Sequence, residues 1–88
     1  MKSLILKSNG TIVVTEPKNE IDFSLEEMQA IVGGYVEVVN LKDGRIIVLN
    51  EDGKLKHLPL NVQATQLYNM PDDFIVGDVL VCESSKVK

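Results

Sequence analysis

Several polar side chains in the middle of the sequence are placed where they could bind a small molecule. Glu37 lies within an apolar run, so its carboxylate either faces solvent or lines a pocket and accepts hydrogen bonds from hydroxyl or amino groups. Residues 50–54, Asn-Glu-Asp-Gly-Lys, form either a plain turn or a loop in which Asn50 and Lys54 donate to a ligand. This run is not a calcium loop, because Leu55 and Lys56 stand where further oxygen ligands are needed.

A helix start follows this loop. Asn61 is a favoured N-cap residue, and the unpaired amides at the start of a helix suit a phosphate or a carboxylate. Either these residues simply cap the helix, or the amides of residues 60–62 hold an anion. In the second case Thr65, one turn later, adds a hydroxyl group to the site.

The sequence offers no recognisable catalytic set. His57 is accompanied by no serine or cysteine in a nucleophile motif, and one histidine and one cysteine far apart do not make a zinc site. Cys82 lies in an apolar run, which favours a buried thiol. We therefore predict that the protein is not an enzyme and uses no metal and no cofactor.

Charge and composition narrow the choice of partners. The formal net charge of −4 argues against binding nucleic acid, whose backbone needs a basic surface. No run approaches the roughly 20 apolar residues of a membrane span. No signal peptide is visible, and the single cysteine fits a reducing compartment, so we predict a cytoplasmic protein without membrane contact.

Turn signals and apolar periodicity predict the elements that hold these side chains. Asn9-Gly10 and Asp43-Gly44 each indicate a β-hairpin, and Ser24 with Glu27 forms a capping box. The predicted strands are 4–7, 11–15, 35–39, 45–49 and 79–83, with an optional short strand at 54–57, and the predicted helices are 24–32 and 62–69. This order predicts one α+β domain over residues 1–83, a small and mainly antiparallel sheet with two short helices, followed by a flexible tail at 84–88.

The alternation within the strands predicts two apolar sheet faces. One face carries Val36, Val38, Ile46, Val48, Leu80 and Cys82, and the other carries Tyr35, Glu37, Val39, Ile47 and Leu49. Because two short helices are expected to cover only one face, we predict that the other is buried against a second copy of the chain. A two-fold homo-oligomer with the binding pocket near that contact is the expected assembly.

Four blocks of the sequence resemble a family of small bacteriophage domains of unknown function. They are Gly-Gly-Tyr-Val-Glu at 33–37, Asn-Glu-Asp-Gly-Lys at 50–54, Leu-Pro-Leu-Asn at 58–61 followed by Ala64-Thr65, and Ile-Val-Gly-Asp-Val-Leu-Val at 75–81. They are similar to the family's GGY-(I/V)-E core, its N-E-(E/D)-G-K turn and its LPLN-xx-AT helix start. The resemblance covers residues 21–81 and leaves the N-terminal hairpin outside.

A phage origin implies a function by binding. Small acidic phage proteins without enzymatic motifs often inhibit a host protein or sequester a nucleotide signal made by bacterial immunity. On this basis we predict a phage-encoded, non-enzymatic protein that sequesters a signal of the cyclic ADP-ribose type, or a cyclic dinucleotide, in the host cytoplasm. The alternative is a protein-binding module that inhibits a host enzyme or acts in phage regulation through exposed strand edges.

The resemblance also suggests which residues bind the nucleotide. The predicted ligand-binding residues are Tyr35, Glu37, Asn50, Glu51, Lys54, Asn61 and Thr65. In this prediction Tyr35 stacks on the base, while Glu37 and Asn50 bind the ribose or the base. Lys54 and the amides around Asn61 bind phosphate.

Overall fold

Residues 2–87, which the computed structural model describes, form five strands, two α-helices and one short 3-10 helix. In chain order these are β1 (Ser3–Leu6), β2 (Ile12–Thr15), α1 (Leu25–Val32), β3 (Val36–Asn40), β4 (Arg45–Asn50), α2 (Val62–Tyr68), β5 (Val79–Glu83) and the 3-10 helix (Ser84–Lys86). The strands make one antiparallel sheet in the order β2-β1-β5-β4-β3, so the last strand lies in the centre. The predicted α+β class is confirmed.

Both predicted hairpins form at the expected turns. Gly10 and Gly44 adopt positive φ angles of 93° and 88°, which a residue without a Cβ atom reaches at little cost. The side-chain oxygens of Asn9 and Asp43 accept hydrogen bonds from the backbone amide two residues later, at 2.9 and 3.1 Å. These local bonds help to hold each pair of strands in register.

Helix α1 begins at the predicted capping box. Ser24 Oγ accepts a hydrogen bond from the amide of Glu27 at 3.1 Å, and Glu27 Oε1 accepts one from the amide of Ser24 at 3.0 Å. Gly33 ends the helix in the left-handed conformation, with φ 80°. The chain therefore passes directly from α1 into β3.

The two α-helices cover opposite faces of the sheet. The core beneath α1 contains Phe23, Met28, Val32, Ile46, Val48, Leu80 and Cys82, and the core beneath α2 contains Leu6, Ile47, Ala64, Ile75, Val79 and Val81. The prediction that both helices cover one face, leaving the other for a second copy, is therefore wrong. Strands β4 and β5 are buried on both faces, which explains why their apolar runs are nearly continuous rather than alternating.

Two further segments differ from the sequence prediction. Residues 51–57 form consecutive turns instead of a short strand, and His57 has a positive φ of 55° that is incompatible with an extended strand. The predicted flexible tail instead contains the 3-10 helix, and Val87 pairs with Phe23, whose amide donates to the carbonyl of Lys86 at 2.7 Å. Lys88 lies outside the described residues. Packed structure thus continues past the predicted domain boundary at residue 83.

Candidate functional site

A groove runs beside strand β3, between this strand and the part of the chain formed by α2 and residues 69–76. It consists of two clefts that meet at Tyr68, and we call it the β3–α2 groove. The wide cleft has a volume of about 450 Å³, and its lining includes Asn40, Lys42, Asp43, Arg45, Tyr68 and Met70. The narrow cleft has a volume of about 140 Å³, and its lining includes Glu37, Glu51, Lys54, Tyr68, Asp73 and Phe74.

The wall opposite β3 is held in place by Thr65. Helix α2 ends at Asn69, which takes the left-handed conformation with φ 52°, and the chain then folds back along the helix. The Thr65 hydroxyl accepts a hydrogen bond from the amide of Ile75 at 2.9 Å and lies 3.3 Å from the carbonyl oxygen of the same residue. This clamp brings Asp73 and Phe74 beside Tyr68.

Asp73 is the centre of a polar network in the narrow cleft. Its carboxylate contacts Lys54 Nζ at 2.5 Å, accepts the amide of Phe74 at 2.8 Å and accepts the Tyr68 hydroxyl at 3.2 Å. The Lys54 contact, followed by the Phe74 amide, holds the pKa of Asp73 below its ordinary value. Burial, followed by the hydrogen bond to Asp73, raises the pKa of Tyr68 above its ordinary value. At neutral pH the network therefore holds a carboxylate, an ammonium group and a neutral phenol.

An aromatic surface lies next to this network. The Phe74 side chain is 46% exposed, and Lys54 Nζ lies 4.5 Å from the centre of its ring. An ammonium group at this distance from a ring makes a cation–π contact. The narrow cleft can therefore offer a flat apolar surface together with carboxylate acceptors.

The two clefts differ in charge. The narrow cleft carries three carboxylates, those of Glu37, Glu51 and Asp73, against the one ammonium of Lys54. The wide cleft carries two cations, Lys42 and Arg45, against one carboxylate, Asp43, which pairs with Arg45 at 2.7 Å. A ligand with an anionic end and a hydroxyl-rich or amino-rich end would match this polarity.

Three of the predicted ligand-binding residues line the narrow cleft with side chains that the core does not bury. These are Glu37, Glu51 and Lys54, all of them exposed. Asn50 also contributes to the lining, but its side chain is buried and is used within the protein. Its Nδ2 donates to the carbonyl of Val32 at 3.1 Å, and its Oδ1 accepts the amide of Asp52 at 2.8 Å. Asn50 therefore shapes the loop that carries Lys54.

Asn61 is placed in the interior rather than in the groove. Its side chain is fully buried, Nδ2 donates to the carbonyls of Leu6 and Gly77 at 2.8 Å each, and Oδ1 caps α2 by accepting the amide of Ala64 at 3.0 Å. Its own amide donates to the carbonyl of Ile75 at 2.8 Å. The Asn61 amide and side chain are thus bonded within the protein rather than presented to a ligand.

Tyr35 lies apart from the groove. Its ring is 67% exposed and borders a separate shallow cleft with Gln29, Asp52 and Lys56. The structure therefore does not bring Tyr35 together with Glu37 and Lys54. Within the groove, the exposed aromatic ring is that of Phe74.

Sequence reasoning did not identify Tyr68, Asp73 and Phe74. Tyr68 lies within the predicted helix 62–69, and no motif distinguishes Asp73 or Phe74 in the sequence. These three side chains come together only because the segment after α2 runs back along the helix. Short-range sequence patterns do not encode that path. The nearest usable signal is the turn sequence Asn69-Met70-Pro71, which stops the helix and reverses the chain.

Residues 2–87 also lack a metal cluster, a membrane-spanning helix and an activated thiol. In that part of the chain no three His, Cys, Asp or Glu side chains are grouped to hold a metal ion, and neither helix is long and apolar enough to cross a membrane. Cys82 is buried, as predicted, and burial raises its pKa to about 11. It therefore stays a protonated thiol at neutral pH and is not an activated nucleophile.

Comparison with known proteins gives a family but no activity. The model of a family described as "Domain of unknown function (DUF3846)" matches residues 1–87. The match includes the N-terminal hairpin, so the prediction that this hairpin lies outside the family resemblance is wrong. No curated protein and no solved structure matches the chain. Because this match covers almost the whole length of the chain, the chain belongs to the DUF3846 family.

Proposed function

We propose that this protein is a non-enzymatic binding protein that holds a small nucleotide-derived molecule in the β3–α2 groove. The observation that carries the proposal is the separation of charge along the groove. Phosphate groups fit the wide cleft beside Lys42 and Arg45, whereas ribose hydroxyls and amino groups of a base fit the carboxylates of the narrow cleft.

The dimensions of the groove support a ligand of this size. The wide cleft alone, at about 450 Å³, falls within the roughly 300–1,000 Å³ of typical small-molecule sites. The narrow cleft, at about 140 Å³, is too small for a whole nucleotide and suits one ring or part of a ribose. A nucleotide would therefore span both clefts across Tyr68.

The aromatic surface supports recognition of a base. A base stacked on Phe74 gains an apolar contact of the kind that proteins use for single-stranded nucleotides. Lys54 Nζ lies 4.5 Å from the centre of this ring and 2.5 Å from Asp73, so a base that stacks on the same face would displace it from the ring.

The resemblance to bacteriophage proteins extends the proposal to a biological role. In that role the protein sequesters a nucleotide-derived immune signal, of the cyclic ADP-ribose type or a cyclic dinucleotide, in the cytoplasm of a phage-infected host. This extension rests on the resemblance and not on the groove. The residues lining the two clefts include no serine, threonine, cysteine or histidine, so capture without cleavage is the simpler activity.

The proposal is tested with cyclic ADP-ribose isomers and cyclic dinucleotides as probes. Binding is measured by calorimetry, and the bound molecule is recovered by denaturing the protein and analysed by chromatography. We expect stoichiometric uptake and release of the unaltered molecule. The absence of uptake of every probe would overturn the proposal, and release of a cleaved product would contradict a non-enzymatic role.

Two charge reversals locate the site. Lys42→Glu in the wide cleft should weaken binding at least tenfold, because a phosphate would then face a carboxylate. Lys56→Glu makes the same charge change beside Tyr35, outside the groove, and should leave affinity unchanged. The opposite result would move the site to the surface of Tyr35.

A further inference from the structure

We propose that the outer edge of β2 binds β2 of a second copy of this chain, antiparallel and around a two-fold axis through Val13. The two sheets then join into one continuous sheet of ten strands. This surface is distinct from the apolar sheet faces, which α1 and α2 cover. It is also distinct from the β3–α2 groove, which lies at the opposite edge of the sheet.

The side chains of β2 are unusually apolar for an edge strand. Ile12, Val13 and Val14 are 52%, 36% and 57% exposed. Natural proteins protect exposed edges with charged residues, proline or bulges, because an unpaired strand is a template for another strand. The sequence 11–15, Thr-Ile-Val-Val-Thr, contains none of these protections.

Among the residues that the structure describes, no strand pairs with the outer side of β2. Lys7 N donates to the carbonyl of Thr11 at 2.9 Å, and β1 and β2 continue in the register that pairs Ile5 with Val13. Because bonded and non-bonded pairs alternate in an antiparallel ladder, the backbone groups of Val13 point toward β1. Those of Ile12 therefore point away from the sheet, as do those of Val14 two residues later.

This outer row is complementary to itself. Antiparallel pairing about Val13 places Ile12 opposite Val14 of the second copy and Val14 opposite Ile12 of the second copy. Each of these two pairs exchanges two backbone hydrogen bonds, so four bonds form. Val13 meets its own counterpart as the close, non-bonded pair between them, where side chains approach most closely.

Charge and side-chain type favour this register over its neighbours. With Val13 on the axis, Thr11 faces Thr15 and Gly10 faces Glu16, so no like charges are opposed across the pair. A shift by two residues would set Ile12 against Glu16 in one direction or Val14 against Gly10 in the other. Only the proposed register pairs every exposed apolar side chain of β2 with another apolar side chain. That self-matching identifies a second copy as the occupant.

The size of the contact predicts its strength. One pair of short strands covers less than the roughly 1,200–2,000 Å² buried in standard stable interfaces. The dimer should therefore be reversible and depend on protein concentration. Since the β3–α2 grooves remain open at the two outer edges, nucleotide binding and dimerisation are separable.

Light scattering coupled to size exclusion tests the dimer over a range from about 1 to about 200 µM, which brackets a dissociation constant of moderate affinity. We expect the mass to rise from 9.7 kDa toward twice that value. Val14→Lys should weaken association at least tenfold, while Val38→Lys, at a 44% exposed position on the other edge strand, should leave it unchanged. A wild-type chain that remains monomeric throughout would overturn the proposal and leave the β2 edge to a foreign strand.

Cysteine cross-linking tests the register independently of dimer affinity. Val13→Cys should form a disulfide-linked dimer on mild oxidation, because non-bonded antiparallel pairs bring the two Cβ atoms near the required separation. The native Cys82 is buried and does not compete. Ile12→Cys, which faces a valine in this register, and Val38→Cys on the other edge should cross-link far more slowly. Equal cross-linking of all three variants would overturn the assigned register.

Discussion

The two edge strands of this sheet have similar compositions but different surroundings. β2 and β3 are both short and rich in valine, and each belongs to a hairpin. The β3 edge carries Glu37 and adjoins the β3–α2 groove. Just before β3, the carbonyl of Tyr35 accepts a hydrogen bond from the amide of Glu51 at 2.9 Å. The β2 edge is uncharged, and its residues Ile12, Val13 and Val14 are exposed.

This difference separates two kinds of recognition. The surroundings of β3 offer charged and aromatic side chains, which suit a small polar ligand, whereas β2 offers backbone groups and methyl groups, which suit another strand. The two edges are four strand spacings apart, or about 19 Å at roughly 4.8 Å each. We therefore expect changes at one edge to leave the other unaffected, unless they disrupt the structure that both edges share.

The largest expected effect is the loss of that shared structure through Asn61→Ala. The Asn61 side chain links Leu6, at the β2 end of the molecule, to Gly77 and to the start of α2. Its removal leaves two buried carbonyls and one amide without these partners, which should cost about 3 kcal/mol or more in the free energy of unfolding. Urea denaturation measures this loss, and both ligand binding and dimerisation should weaken with it.

The control for this prediction is Asn40→Ala. Asn40 is exposed, so its truncation should change the free energy of unfolding by less than about 0.5 kcal/mol. If Asn61→Ala lowered the free energy of unfolding as little as this control does, the buried Asn61 side chain would not be the link between the two edges.

The next largest effect is expected from a substitution of Gly53, near the β3 edge, and Gly10, near the β2 edge, is its comparison. A Cβ atom on Gly53 would lie 2.8 Å from Val76 Cγ2, so Gly53→Ala should cost about 1–3 kcal/mol through overpacking and should also disturb the narrow cleft. Gly10→Ala meets open space but keeps a φ of +93°, which costs about 1 kcal/mol. Thermal unfolding and calorimetry with the nucleotide probes should show that only Gly53→Ala reduces affinity for the ligand. Equal losses of affinity would contradict a site beside residues 50–54.

A smaller effect is the dependence of the groove on pH. The pKa of Asp73 is depressed in the folded protein, mainly by Lys54 and then by the Phe74 amide. A depressed carboxyl pKa stabilises the fold above the unfolded-state pKa of about 3.9, and this contribution is lost as the pH falls through the folded-state value. Carboxyl titration by NMR should show the pKa of Asp73 rising in Lys54→Met and staying unchanged in Lys56→Met. An Asp73 that titrates alike in wild type and Lys54→Met would show that the ion pair does not form in solution.

The sequence predicts the features that depend on near neighbours. The hairpins, the capping box of α1 and the cap of α2 are each encoded within a few residues. The continuous apolar runs of β4 and β5 also indicate that both faces of the sheet are covered. The prediction that both helices lie on one face does not use this signal.

The site was harder to predict because its geometry depends on distant partners. Asn61 was recognised as a helix cap, but its side chain also donates to carbonyls 55 and 16 residues away in the chain, which removes it from any ligand. Asp73 and Lys54 are separated by 19 residues and meet only because the segment after α2 returns along the helix. The uncharged run of β2 is visible in the sequence, but its position at an edge follows from the order of strands.

The smallest expected effect comes from making the β3 edge resemble the β2 edge. Glu37→Val turns residues 36–39 into four consecutive valines and removes the charge that guards this strand. Because Glu37 is exposed, the free energy of unfolding should change by less than about 0.5 kcal/mol. With both edges unguarded, dimers formed through β2 could extend through β3, so light scattering at high concentration should show masses above that of a dimer. Glu37→Gln, which loses the charge but keeps a polar side chain, should show less growth. If Glu37→Val has the same mass as wild type at every concentration, the groove wall and the loop carrying Glu51, rather than the carboxylate, keep the β3 edge unpaired.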